Sequence, residues 1–205
     1  MVGFNRRFSP AARQAREFFP DRNFPLSIVY RVNAGRIPST SWIQDPIEGG
    51  GRIVGEVCHF VDLIHFLTGS LTTRVYAEAV TASSSEVTCE DSVIITLKLA
   101  DGSNGAIAYL AEGDRSLAKE RVEIFGGGRS FVIDDFRTVT GYLNGKETAR
   151  HTGSQDKGQA EQIRVVCQTV RDGTGNPIVL EDLERTTRVT FRVLDSLRSG
   201  VPVSF

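Results

Sequence analysis

Hydrophobic and polar positions alternate with a strand-like period over most of the middle of the chain and with a helical period near both ends. Leu26 to Val32 alternates β-branched and aromatic residues with polar ones and predicts a strand. Further strands are predicted at 74–80, 92–99, 106–110, 121–125, 130–133, 138–143 and 147–151. Asp101-Gly102 and Asn144-Gly145 sit between adjacent runs and mark hairpins, and Gly126-Gly127-Gly128 marks another reversal. Helical spacing is found at 11–19, behind a Ser9 cap with Pro10 at the first helical position, and at 52–67, 159–170 and 180–197. The last three are closed by Gly69, Gly173 and Gly200. Residues 1–8 read as the end of a strand, and 36–51 as an ordered loop containing Trp42 and Gly49-Gly50-Gly51. The order predicts an α+β fold: a large, mainly antiparallel sheet with helices packed on one face. No composition shift or repeat divides 9–205, so one domain is expected there.

Charge narrows the partners. With 24 Lys plus Arg against 25 Asp plus Glu, the formal net charge is −1, which removes the general electrostatic drive toward nucleic acid or anionic lipid. No apolar run approaches the ~20 residues of a membrane span, and the first residues lack the apolar core of a signal peptide. Cys58, Cys89 and Cys167 are too few and too scattered for a disulfide framework or a zinc site. They are expected to be small buried thiols in a cytoplasmic protein. Neither glycine triplet lies between a strand and its helix, so the chain by itself offers no dinucleotide fingerprint.

The informative segment is the helix at 52–67. Glu56, His59 and Asp62 recur every three residues and share a stripe. A histidine with a carboxylate one turn away on each side has a reason to act as acid or base, the carboxylates favouring imidazolium. Any amphipathic helix with a solvated face gives the same spacing. Arg6 and Arg7 suit an anion or the surface. Asn33 suits a polyol hydroxyl or a turn, and Trp42 a sugar ring or a loop anchor. Lys119 and Arg121 read as exposed.

Gly49-Gly50-Gly51, followed by His59 and Asp62, resembles the Gly-Gly-Gly…His-x-x-Asp segment of the Gfo/Idh/MocA family. The opening Val-Gly-Phe-Asn-Arg-Arg-Phe-Ser-Pro, Tyr-Arg-Val-Asn-Ala-Gly at 30–35 and Trp-Ile-Gln-Asp-Pro at 42–46 look like the same family. They look closest to a subgroup in which the module follows an alcohol-dehydrogenase-like portion. The resemblance implies the C-terminal, substrate-binding and oligomerisation domain of an NAD(P)-dependent oxidoreductase acting on a sugar- or polyol-like alcohol. Residues 1–8 would then be the tail of a missing Rossmann domain that supplies NAD or NADP, and the chain would be inactive without it. It implies His59 and Glu56 as catalytic residues, and Asp62, Asn33, Arg7 and Trp42 as substrate contacts. It implies no cofactor or metal ligand in this chain, and a homodimer formed through the sheet. Many members carry an aspartate four residues before the histidine; here that position is Gly55, and Glu56 points about 100° away from it. A non-catalytic ligand-binding or dimerisation module on the same fold is the alternative.

Overall fold

The computed structural model describes residues 2–20, 23–38, 40–45, 47–80 and 92–205. Among these residues nine strands form one sheet: β1 (Ser27–Asn33), β2 (Thr72–Ala79), β3 (Val93–Leu99), β4 (Asn104–Leu110), β5 (Glu120–Gly126), β6 (Arg129–Asp134), β7 (Thr138–Leu143), β8 (Lys146–Thr152) and β9 (Val203–Ser204). Their spatial order is β8-β7-β6-β5-β1-β4-β3-β2-β9. All pairings are antiparallel except β1 with β4. The first strand thus lies in the middle, joining a β2–β4 meander to a β5–β8 meander. The β5–β6 and β7–β8 connections turn on residue pairs with positive φ, Gly127-Gly128 and Asn144-Gly145, as a two-residue hairpin requires.

Alternation aims one face of the sheet inward. Ile28, Tyr30 and Val32 of β1, Val93, Ile95 and Leu97 of β3, and Val122 and Ile124 of β5 are buried. Helices α1 (Pro10–Phe18), α2 (Cys58–Thr68) and α4 (Leu180–Ser199) cover that face. Ser9 caps α1 as expected, its Oγ accepting from the Ala12 amide. On α2, Phe60 lies against the rings of Tyr30 and Tyr109 at 4.9 and 6.0 Å, and Ile64 fills the space left by the missing side chain of Gly105. The fourth helix, α3 (Gln159–Asp172), packs chiefly on the short 3-10 turn Arg6–Phe8 rather than on the sheet. No helix among the described residues is long and apolar enough to cross a membrane.

Several expectations need correction. Residues 1–8 are not strand: Arg6–Phe8 form the 3-10 turn. The helix predicted at 52–67 is composite, a wide π-helical turn at Ile53–Val57 leading into α2. Arg6 is buried rather than superficial. Cys167 is exposed and Cys58 half-buried, so neither is the sequestered thiol expected; Cys89 lies outside the described residues.

Arg6 is buried because it has a counter-charge. Its Nε and Nη2 donate to Glu120 Oε2 and Oε1 at 2.7 and 2.9 Å, Lys157 Nζ donates to Oε1 at 2.6 Å, and the Tyr30 hydroxyl donates to Oε2. The Glu120 side chain is wholly inaccessible. Burial by itself would raise its pKa, yet Arg6 and Lys157 hold it down at about 2. Replacing Glu120 by Gln leaves both cations buried without a counter-charge and should cost about 3–5 kcal/mol of unfolding free energy. Urea unfolding checks this, and a loss below ~1 kcal/mol would count against the cluster as a structural anchor.

Candidate functional site

The 36–51 loop enters the helical segment through three glycines with distinct reasons. A side chain at Gly49 would collide with the carbonyls of Trp42 and Ile43, and Gly50 and Gly51 have φ of 67° and 77°. This close folding lays the loop over the π-helical turn. Between them lies a cavity of about 380 Å³, lined by Ala34, Ile37, Trp42, Ile43, Gly49, Arg52, Gly55, Glu56 and Lys119. Trp42 stands 65% exposed on its wall. The walls combine an aromatic and aliphatic side with a carboxylate and an ammonium group. That mixture suits a ligand with one apolar face and several hydroxyls.

The cavity-lining carboxylate is held by several partners. Lys119 Nζ donates to Glu56 Oε1 at 2.6 Å and the Tyr109 hydroxyl donates to Oε2 at 2.5 Å, with Arg52 Nη2 at 3.7 Å. Burial pushes the Glu56 pKa up, but the Lys119 and Tyr109 hydrogen bonds and the Arg52 charge outweigh it, so Glu56 stays ionised. Lys119, read from the sequence as merely exposed, is a partner of this carboxylate. Only its position before β5 hinted at that, because the Glu56–Lys119 contact joins residues far apart in the chain.

The predicted stripe does not operate as a unit. His59 is partly buried, its ring edge-on to Phe4 at 5.8 Å, and its Nδ1 has no hydrogen-bond partner among the described residues. Burial first, and the nearby Arg6 charge second, push its pKa down to about 4, against the weaker pull of Glu56 and Glu120. The expected imidazolium is therefore a neutral imidazole at pH 7. Asp62 is fully buried and is gripped by Arg7 through both guanidinium arms, Nε to Oδ2 at 2.9 Å. Burial raises Asp62 to about 6 despite Arg7, leaving it mainly a carboxylate at neutral pH. Arg7 and Asp62 thus face each other. Asn33 is also committed: its Nδ2 donates to the carbonyls of Asp114 and Leu117 at 2.6 and 3.1 Å, pinning the loop that leads to Lys119, while its buried Oδ1 has no hydrogen-bond partner among the described residues. The structure brings Glu56 and Trp42 together at the cavity, and places His59 three residues beyond Glu56 along the helical segment.

Comparisons with known proteins place this geometry. The profile described as the GFO/IDH/MocA C-terminal domain matches residues 25–132. The crystal structure of aldose-aldose oxidoreductase from Caulobacter crescentus, complexed with glycerol, superposes with a TM-score of 0.82 at 20% identity, over 100% of this chain and 63% of that one. A myo-inositol dehydrogenase from Corynebacterium glutamicum ATCC 13032 gives 0.71 at 25% identity, over 100% and 64%. GenD2 from gentamicin A biosynthesis, in complex with NAD, gives 0.74 at 22% identity, over 99% and 62%. The chain thus spans less than two-thirds of the length of each of these structures. Among curated protein sequences, none matches it.

The two helix histidines set a pH dependence. His65, enclosed between Thr72 and Thr186, accepts at Nε2 from the Thr72 amide at 3.2 Å, so its Nδ1 carries the proton. Burial holds it, like His59, at about 4. An unfolded chain takes up these protons near pH 6.5, so acidification from 6.5 to 4 favours unfolding. Asp62, raised to about 6, has the opposite effect between about 4 and 6 and offsets roughly one histidine. Stability should therefore fall from pH 6.5 toward 4, and nuclear magnetic resonance should find both imidazoles neutral at pH 5.5. Titration of either near 6.5 would contradict the burial argument.

Proposed function

Because the chain belongs to the GFO/IDH/MocA C-terminal domain family, we propose that it is the substrate-binding domain of an NAD(P)-dependent oxidoreductase acting on a sugar- or polyol-like alcohol. The observation that carries this reading is a mixed aromatic and charged cavity lined by Trp42, Glu56 and Lys119, with His59 three residues beyond Glu56 along the helical segment. Residues 1–8 lead out of a preceding Rossmann domain in a cytoplasmic protein. The glycine-rich entry here follows a loop and opens a π-helical turn, so it does not fit a dinucleotide pyrophosphate. NAD or NADP belongs to that other domain, and this chain alone is inactive. GenD2 in its NAD complex and the glycerol complex of the aldose-aldose oxidoreductase support the cofactor and the ligand class.

In this reading Trp42 offers a flat face to the apolar side of the substrate ring, and Glu56 and Lys119 exchange hydrogen bonds with its hydroxyls. In the same reading His59, neutral at pH 7, takes the proton of the hydroxyl whose carbon is oxidised. Arg7, Asp62 and Asn33 serve the substrate by holding α2 and the loop before Lys119 in place. Gly55 in place of the family aspartate, and a Glu56 already bound by Lys119 and Tyr109, favour a second reading, a non-catalytic binding module. The open face of the sheet presents Val29 and Ile94, 43% and 49% exposed, and suits a homodimer. Sedimentation of a clean monomer at high concentration would exclude that assembly.

Turnover separates the two readings. In the polypeptide that carries both domains, His59→Ala should lower NAD(P)-dependent oxidation across a sugar and polyol panel by about 10²–10⁴-fold, the range of a general base. Wild-type turnover in that variant would remove His59 from the reaction. An intact protein that binds polyols without any turnover would establish the binding module.

A further inference from the structure

The carboxylate and the ammonium group of the cavity are each other's partners. Lys119 Nζ lies 2.6 Å from Glu56 Oε1, yet the two side chains remain 38% and 24% exposed. Neither group is used up by this contact. A carboxylate has about four acceptor sites. Lys119 takes one of them and the Tyr109 hydroxyl a second. The ammonium group has further N–H donors beyond the one that it directs at Glu56. A donor and an acceptor thus stand side by side at the cavity, one hydrogen-bond length apart.

Two observations give the pair a fixed position and room beside it. Glu56 Oε2 is held by Tyr109, which is fully buried. Arg52 donates to the Gly35 carbonyl at 2.7 Å, stacks on the Tyr109 ring at 5.0 Å and stands 3.7 Å from the same oxygen. The carboxylate therefore keeps its place when a ligand approaches. Its neighbour Gly55 has no positive φ, so the backbone does not call for glycine there. A Cβ at Gly55 would meet nothing closer than the Gly49 carbonyl at 3.9 Å. The missing side chain is thus open space on the cavity wall next to Glu56.

Gauche hydroxyls on adjacent ring carbons are about 2.8 Å apart, close to an ordinary O–H···O distance. We propose that the Glu56–Lys119 pair is a fork for a vicinal diol: one hydroxyl donates to Glu56 Oε1, its neighbour accepts from Lys119 Nζ, and the ring lies on Trp42. The inference deepens the polyol reading above and rests on it. The fork orients the ring and takes no proton itself. It also sets how strict the site is. A pocket whose buried polar groups are stranded by a missing hydroxyl rejects the deoxy analogue by about 10⁴–10⁵-fold. Here Glu56 and Lys119 keep each other when a hydroxyl is missing. Each hydroxyl should therefore count only about 10–100-fold, the worth of one hydrogen bond to a charged group. What the fork selects is adjacency of two hydroxyls.

The test uses the polypeptide that carries both domains, as wild type, Lys119→Met and Glu56→Gln, each checked for folding by circular dichroism. The probes are trans-1,2-cyclohexanediol, with adjacent hydroxyls, and trans-1,3-cyclohexanediol, with separated ones. Their dissociation constants are measured by nuclear magnetic resonance titration, which needs neither cofactor nor turnover. Wild type should bind the 1,2-diol at least about tenfold more tightly than the 1,3-diol. Each variant should lose that preference by weakening the 1,2-diol alone. Equal wild-type affinities, no binding of the 1,2-diol, or a folded variant that keeps the full preference would each overturn the fork. If one variant fails to fold, the other carries this arm together with the wild-type comparison. NAD(P)-dependent turnover on the sugar and polyol panel is followed in the same protein. Turnover without the 1,2-preference overturns the fork and leaves the oxidoreductase reading standing. The preference in a protein that binds no NAD or NADP overturns the oxidoreductase reading and leaves the fork.

Discussion

The buried carboxylate of Glu120 is the point on which the arrangement turns. It stands at the start of β5, and its partners come from the N-terminal turn, from β1 and from the residue before the α3 entry. One wholly enclosed charge thus fixes four distant parts of the chain, and none of the partners can leave without stranding a charge or a hydroxyl in the interior. Arg6 also stacks on Phe60 at 4.9 Å, so the same contact ties α2 to the sheet. The candidate chemistry inherits this anchor, because Arg6 is among the charges that disfavour protonation of His59.

Three polar residues at equal spacing met three different fates. Glu56 turns to Lys119 and Tyr109, Asp62 is consumed by Arg7, and His59 is left with neither. The π-helical turn ends at Val57, between Glu56 and His59, so the stripe does not continue with α-helical phase through the segment. The contest at His59 is decided by magnitude: loss of water around the ring and a nearby cation outweigh two carboxylates. A neutral imidazole results from the surroundings of the ring, not from its neighbours in the stripe.

Most of the fold was legible in the chain. Alternation located the strands, Asp-Gly and Asn-Gly the hairpins, and Gly69, Gly173 and Gly200 the helix ends, each with the left-handed conformation that such a cap needs. These features are local, so a single sequence contains them. The failures at the buried charges and the candidate site were long-range. Arg6 looks like a surface residue until a glutamate 114 positions later reaches it, and Lys119 looks idle until Glu56 meets it across 63 residues. The two-residue β9 carries too little pattern to read at all.

The place of β1 has a further consequence. It is bonded on one side to β4 in parallel and on the other to β5, with partners that follow it by about 75 to 100 residues, while every other strand of the two meanders pairs with a sequence neighbour. The hairpins can zip locally, but the seam between them closes only after long stretches of chain have been ordered, an entropic cost that precedes any reward. Folding speed is therefore expected to be set by the seating of this one early strand, and substitutions along it to retard assembly more than equivalent changes in the outer hairpins.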